Sequence, residues 1–150
     1  MKAVLQRVSR ATVTIDRNET RSIGPGLLIL LGISHEDTKE DIHWLTGKIS
    51  GMRIFTDPDG KMNLSVQDIK GEILVVSQFT LFASTKKGNR PSFNKAAPPE
   101  LAIPLYNDFV SELRKNTGLH TETGEFGAYM EVQLCNDGPV TILIDSKNRE

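Results

Sequence analysis

The chain has 150 residues, 38% of them hydrophobic and 25% charged, with a formal net charge of −1. That length favours one domain over residues 1–150, and the near-neutral balance excludes a protein that binds polyanions through bulk charge alone. A lone cysteine, Cys135, excludes an intrachain disulfide, and the longest apolar run, Leu27 to Leu31, is far too short to cross a bilayer, so a soluble, cytoplasmic protein with no membrane partner is expected.

In chain order, Ala3 to Val8 reads as a strand. Ala11, Val13 and Ile15 then alternate with Thr12, Thr14 and Asp16, the period of a half-buried strand. The polar stretch Arg17 to Arg21 is expected to turn the chain. Gly26 to Ile33 is continuously apolar and fits a strand buried on both faces. Thr38 followed by Asp41 resembles a capping box. Ile42, Leu45, Ile49 and Met52 recur at helical spacing behind it and predict a helix, which Gly47 and Gly51 weaken slightly. Asp57-Pro58-Asp59-Gly60 is a turn between Arg53–Phe55 and Lys61–Val66. Ile73 to Val76 forms another buried strand that runs into Ser77-Gln78-Phe79-Thr80-Leu81.

Pro98 and Pro99 can open a helix, where a missing N–H costs little. Leu101, Leu105, Phe109 and Leu113 give that helix one apolar face. Met130, Val132 and Leu134 alternate with Glu131, Gln133 and Cys135, a strand in which Cys135 is expected to be a buried, inert thiol. Asn136-Asp137-Gly138-Pro139 is expected to break the strand, and Val140 to Ile144 to form the last one. The class is mixed α/β (α+β). Two helices cannot cover both faces of a large sheet, so the economical arrangement is three layers: two sheet layers in a barrel-like core, backed by one layer of helices.

Three constellations bear chemistry. Ser77-Gln78-Phe79-Thr80 stands at the C-terminal end of a buried strand. Hydroxyls there could attack an ester and backbone N–H groups could hold an oxyanion, although short Ser/Thr clusters at strand ends are common. Asn136-Asp137-Gly138-Pro139-Val140-Thr141 reads as a tight turn, or as a place where glycine lets backbone approach a ligand and proline stiffens it. Lys86, Lys87, Arg90 and Lys95 lie in a stretch with no acidic residue between Glu72 and Glu100. Interleaved with Gly88, Pro91 and Phe93, they suit either a solvated loop or one that grips phosphates and stacks on a base. His35, His43 and His120 are scattered, and no cluster has zinc-ligand spacing, so no metal or other cofactor is expected. If the protein is a hydrolase, it has no evident triad.

Taken together these segments resemble the D-aminoacyl-tRNA deacylase family nearly end to end. The resemblance begins with Met1-Lys2-Ala3-Val4-Leu5-Gln6-Arg7-Val8 and continues through residues 26–32, 53–55 and 60–64. Two signatures carry it. One is Ser77-Gln78-Phe79-Thr80-Leu81 followed by residues 87–93; the other is Asn136-Asp137-Gly138-Pro139-Val140-Thr141 preceded by Thr123-Gly124-Glu125-Phe126-Gly127-Ala128. The resemblance implies a homodimer that acts on aminoacyl-tRNA, with a cis Gly138–Pro139 bond entering the partner's pocket. It implies hydrolysis of D-aminoacyl-tRNA, and of glycine mischarged on the alanine tRNA, with L-aminoacyl substrates rejected. Ser77, Gln78, Phe79 and Thr80 are then the catalytic candidates, Gly138, Pro139 and Arg7 the chiral-selection candidates, and Lys86, Lys87 and Arg90 the tRNA contacts. An editing deacylase with a trans Gly-Pro bond that admits small L-amino acids, and a non-catalytic tRNA-binding module, stand as alternatives.

Overall fold

A computed structural model describes residues 1–150. The chain forms β1 (Lys2–Ile15), β2 (Glu19–Ile23), β3 (Gly26–Gly32), α1 (Lys39–Gly51), β4 (Phe55–Thr56), β5 (Met62–Leu64), β6 (Glu72–Ser77), α2 (Pro99–Thr117), β7 (Thr121–Thr123) and β8 (Met130–Asp145). The main sheet runs β2-β1-β3-β6-β7, with β8 along the other edge of β1, and β4 and β5 make a separate small hairpin. No helix is long and apolar enough to cross a membrane.

Two features differ from the sequence expectation. The segments read as separate strands before and after Arg10 are one strand, β1, and those before and after Gly138-Pro139 are likewise one strand, β8. In both cases an irregularity that looks like a break is absorbed by register shifts, between Gln6 and Val8 and between Val8 and Arg10. The polar turn is also shorter than expected: only Asp16 and Arg17 take positive φ, and Glu19 to Arg21 already pair with β1.

The layers follow from the pattern of apolar residues. β3 pairs in parallel with β6, and β6 with β7, so each link must cross the sheet, and α1 and α2 lie within those crossovers. Parallel crossovers share one hand. Both helices therefore cover the same face, where Leu45, Ile49, Phe109 and Leu113 meet Leu27, Ile29, Leu31, Ile73 and Val75. The opposite face of β3 and β6 carries Leu28, Leu74 and Val76. It is covered by Val8, Ala11, Val13, Ile15 and Ile23. The register shifts in β1 are what allow this. Before them Ala3 and Leu5 face the helices; after them Ala11, Val13 and Ile15 face the second core. The sheet thus curls into the expected nearly closed, barrel-like double layer backed by helices.

α1 begins as its sequence predicts. Asp41 accepts the Thr38 N–H at 2.8 Å, one half of a capping box, and lies in the first turn with Glu40. The same carboxylate has partners far away in sequence, the Ser146 hydroxyl at 2.7 Å and the Lys147 ammonium at 2.8 Å. Ser146 also accepts the Met1 amino group, which is ion-paired with buried Asp37. Burial alone would push the Asp41 carboxyl pKa up, but the hydrogen bonds from Lys147, Ser146 and Thr38 outweigh it and hold the pKa well below the usual carboxylate range. A depressed folded-state pKa means stability that is present above about pH 4 and is lost as pH falls through and below the carboxylate range. We expect Asp41→Ala to cost about 3 kcal/mol at pH 7 and to flatten the acid limb of a stability-versus-pH curve measured by urea unfolding. An unchanged acid limb would remove Asp41 as its source.

Candidate active site

β6 delivers Ser77 to the sheet's end, opposite Leu31 of β3. The Gln78 N–H makes the last ladder bond, 2.7 Å to the Leu31 carbonyl, and the chain then turns into a single 3₁₀ turn, Phe79–Phe82. Gly32 makes room for that turn. A Cβ there would lie 3.0 Å from both the Gln78 carbonyl oxygen and the Leu81 Cβ. The turn's first bond is from the Leu81 N–H to the Gln78 carbonyl, 3.2 Å. The N–H groups of Phe79 and Thr80 stand ahead of it, as donors at a helix start do. Ser77, Gln78 and Phe79 border a cleft of about 70 Å³ whose far wall includes Ala97, Phe126 and Gly127.

Thr80 is exposed, and its Oγ accepts a short 2.5 Å hydrogen bond from Gln78 Nε2. A nucleophilic hydroxyl needs a base to take its proton, and each histidine is engaged elsewhere. His35 contacts the Asn94 carbonyl, His43 contacts Glu112 and His120 contacts Glu122. The geometry suits a cleft that positions a carbonyl and stabilises negative charge more than one that forms an acyl-enzyme.

The second signature is a protrusion. Gln6 pairs with Thr141 and Val8 with Asn136, so four residues of β8, Asp137 to Val140, stand opposite the single residue Arg7. The Gly138–Pro139 peptide bond is cis and Gly138 has φ +133°. Asp137, Gly138 and Pro139 are exposed, while Val140 is anchored in the core. Arg7, itself 7% exposed, fills the base of the protrusion. Its Nε donates to the Asp137 carbonyl at 2.8 Å and its Nη1 to the Ile54 carbonyl at 2.7 Å. Arg7 and Gly138-Pro139 are therefore in contact within one chain. The cleft walls include neither Gly138 nor Pro139, and no hydrogen bond joins the protrusion to Ser77–Thr80.

The basic segment is a loop closed by reciprocal bonds between Ser84 and Ser92, 2.8 and 3.0 Å, with Lys86, Lys87 and Arg90 exposed on it and free of ion pairs. Phe93 ties it to the cleft. Its ring meets the half-exposed Phe79 ring edge-on, with centroids 5.0 Å apart.

One expectation fails nearby. Cys135 is exposed: it points to the same side of β8 as Glu131 and Gln133, which are exposed as well. Gly32, Asn136 and the wall formed by Phe126 and Gly127 were given no role from sequence. The short motifs 123–128 and 136–141 contained three of them, but a motif does not say which of its letters touches what.

Comparison with known proteins gives a consistent result. The family model described as D-Tyr-tRNA(Tyr) deacylase matches residues 4–145. Proteins named D-aminoacyl-tRNA deacylase from Flavobacterium johnsoniae and Akkermansia muciniphila are 61% and 59% identical to this chain, each over the full length of both chains. Among solved structures, one described as c-Myc DNA Unwinding Element Binding Protein superposes with a TM-score of 0.90 at 48% identity, covering 97% of this chain and 98% of its own. Another, described as a "probable eukaryotic D-amino acid tRNA deacylase", has a TM-score of 0.81 at 18% identity, with coverage of 95% and 97%, and shares the fold.

Proposed function

The chain belongs to the D-aminoacyl-tRNA deacylase family, hydrolases of the aminoacyl-tRNA ester bond, and from that premise we propose a chiral proofreading enzyme in which two copies complete each other's site. The observation that carries this reading is the separation of the two signatures. The cleft at Ser77–Thr80 has donors but no wall from Gly138-Pro139, while that pair is held out on a braced, exposed protrusion. A second copy can supply the missing wall. Light scattering at micromolar concentration is expected to give about twice the 16.6 kDa chain mass.

The chemistry asks little of the protein. Water adds to the ester carbonyl, the bond to the ribose oxygen breaks, and that oxygen leaves with a proton; the neighbouring ribose hydroxyl already activates the ester. The cleft orients the carbonyl, and the N–H groups of Phe79 and Thr80 stabilise the oxyanion, with Ser77 and Gln78 positioning the substrate. Thr80→Ala is accordingly expected to keep at least about a tenth of wild-type turnover, since no covalent step uses its hydroxyl. A dead but folded variant, with a trapped acyl-enzyme in wild type, would overturn that assignment.

Selection is steric. With the amino group and ester both held, the two enantiomers differ in where the side chain points. Rigid backbone at Gly138-Pro139 excludes the L side chain and ignores the identity of the D one. Glycine, which has no side chain to exclude, also enters, including glycine mischarged on the alanine tRNA. The deciding experiment compares hydrolysis of D-Tyr-, L-Tyr-, Gly- and L-Ala-tRNA at matched concentrations. Cleavage of D-Tyr- and Gly-tRNA alone is expected. Cleavage of L-Ala-tRNA would favour the editing deacylase that admits small L-amino acids, and binding without hydrolysis a tRNA-binding module.

The loop carrying Lys86, Lys87 and Arg90 is assigned to the acceptor end of tRNA. Replacing all three with alanine is expected to weaken tRNA binding and lower the slope of log K against log salt by up to about 3, with a smaller effect on turnover at saturation. An unchanged slope would return these residues to the role of a solvated loop.

A further inference from the structure

We propose that Asn136 is a positioning residue for substrate discrimination, its carboxamide setting the height and direction at which Gly138 and Pro139 leave the sheet. This rests on the reading that the Gly-Pro edge excludes L-substrates.

Between the Gln6–Thr141 and Val8–Asn136 pairs, β8 loses its one-to-one register with β1. A protrusion without that ladder has no fixed shape unless something replaces it. The Asn136 side chain does so. Its Oδ1 accepts the Val140 N–H at 2.9 Å, and its Nδ2 donates to the Val140 carbonyl at 3.2 Å and the Thr141 hydroxyl at 3.4 Å. A planar carboxamide offers one acceptor and two donors, as a peptide group offers one of each, so it can imitate a neighbouring strand. It closes the span from residue 136 to residue 140, whose side chain is seated in the core. Arg7 holds only the entering limb, through the Asp137 carbonyl. Asn136 holds the leaving limb. With both clamped, Gly138 and Pro139 keep a single outline. With only one, the protrusion can tilt and yield to an L side chain.

Asparagine is the residue that fits this task. Leucine branches at the same carbon and makes none of the three bonds. Aspartate keeps the bond from the Val140 N–H but turns a negative oxygen toward the Val140 carbonyl. The test measures hydrolysis of D-Tyr-tRNA and L-Tyr-tRNA by the full-length protein and its Asn136→Leu and Asn136→Asp variants, with thermal unfolding alongside. Asn136→Leu is expected to raise the ratio of L to D rates roughly tenfold or more, chiefly through faster L-cleavage, and Asn136→Asp to raise it less. A loss of stability alone would lower both rates and leave the ratio unmoved. A folded Asn136→Leu variant with the wild-type ratio, or one whose D rate falls while L-cleavage stays at the wild-type level, would overturn the proposal. If Asn136→Leu does not fold, Asn136→Asp and Thr141→Val decide, since each disturbs only part of the clamp. A shift of the ratio toward L through faster L-cleavage in either supports the proposal, and no gain in L-cleavage in both overturns it. A wild type that cleaves both enantiomers equally would instead remove the underlying reading of Gly138-Pro139.

Discussion

Gly138→Ala is expected to reduce hydrolysis of every accepted substrate, D-aminoacyl and glycyl alike, by on the order of 100-fold. A Cβ at that position would lie 2.8 Å from Val140 Cγ2, 2.9 Å from Arg7 Nη2 and 3.2 Å from the Val140 N. None of these neighbours can yield freely. Val140 is seated in the core, and the Arg7 guanidinium is buried and committed to two carbonyls. The backbone adds to the difficulty, because φ is +133°, a region that residues with a Cβ rarely adopt. The protrusion must therefore move, and it moves at the surface assigned to meet the substrate. Single-turnover assays with D-Tyr- and Gly-tRNA, with circular dichroism to confirm folding, would check this. A folded variant at wild-type rates would show that the protrusion lies outside the reacting pocket.

Arg7→Ala is expected to lower both activity and stability, and Arg7→Lys to rescue neither. Removing the guanidinium leaves the Ile54 carbonyl without its buried donor and frees the Asp137 carbonyl from its brace. A stranded buried acceptor such as the Ile54 carbonyl costs about 1–3 kcal/mol. For a chain of this size the midpoint of thermal unfolding is expected to fall by roughly 5–10 °C. Lysine retains the charge but ends in one nitrogen. It cannot reach the Ile54 and Asp137 carbonyls in the fixed fork that Arg7 uses. Differential scanning calorimetry of both variants, together with D-Tyr-tRNA turnover, is the check. Restored activity in Arg7→Lys would reduce the role of Arg7 to its charge.

The elements legible in the sequence are those set by neighbours a few residues apart. Thr38 and Asp41 mark the start of α1, and Pro98-Pro99 marks the start of α2. Leu105, Phe109 and Leu113 are buried as their spacing requires, although Leu101, on the first turn, is partly exposed. The two-sided apolar runs at 26–33 and 73–76 became β3 and β6, covered on both faces, and from them the three-layer arrangement could be argued. The signatures at 77–81 and 136–141, with the family they resemble, were also legible, because they are contiguous.

What only the tertiary structure decided depends on register between distant strands. Asn136-Asp137-Gly138-Pro139 reads locally as a strand break. It is a protrusion within one strand because β1 pairs with β8 on both sides of it and Arg7 fills the gap from about 130 residues away. Cys135 was expected to be buried, yet it shares a face with Glu131 and Gln133, and on β8 that face has no covering layer. Asp41 looked like a cap alone, and its partners Ser146 and Lys147 come from the other end of the chain. Periodicity records which side chains share a face. Which face is covered, and by which distant residue, is set by how the strands align once the chain has closed on itself.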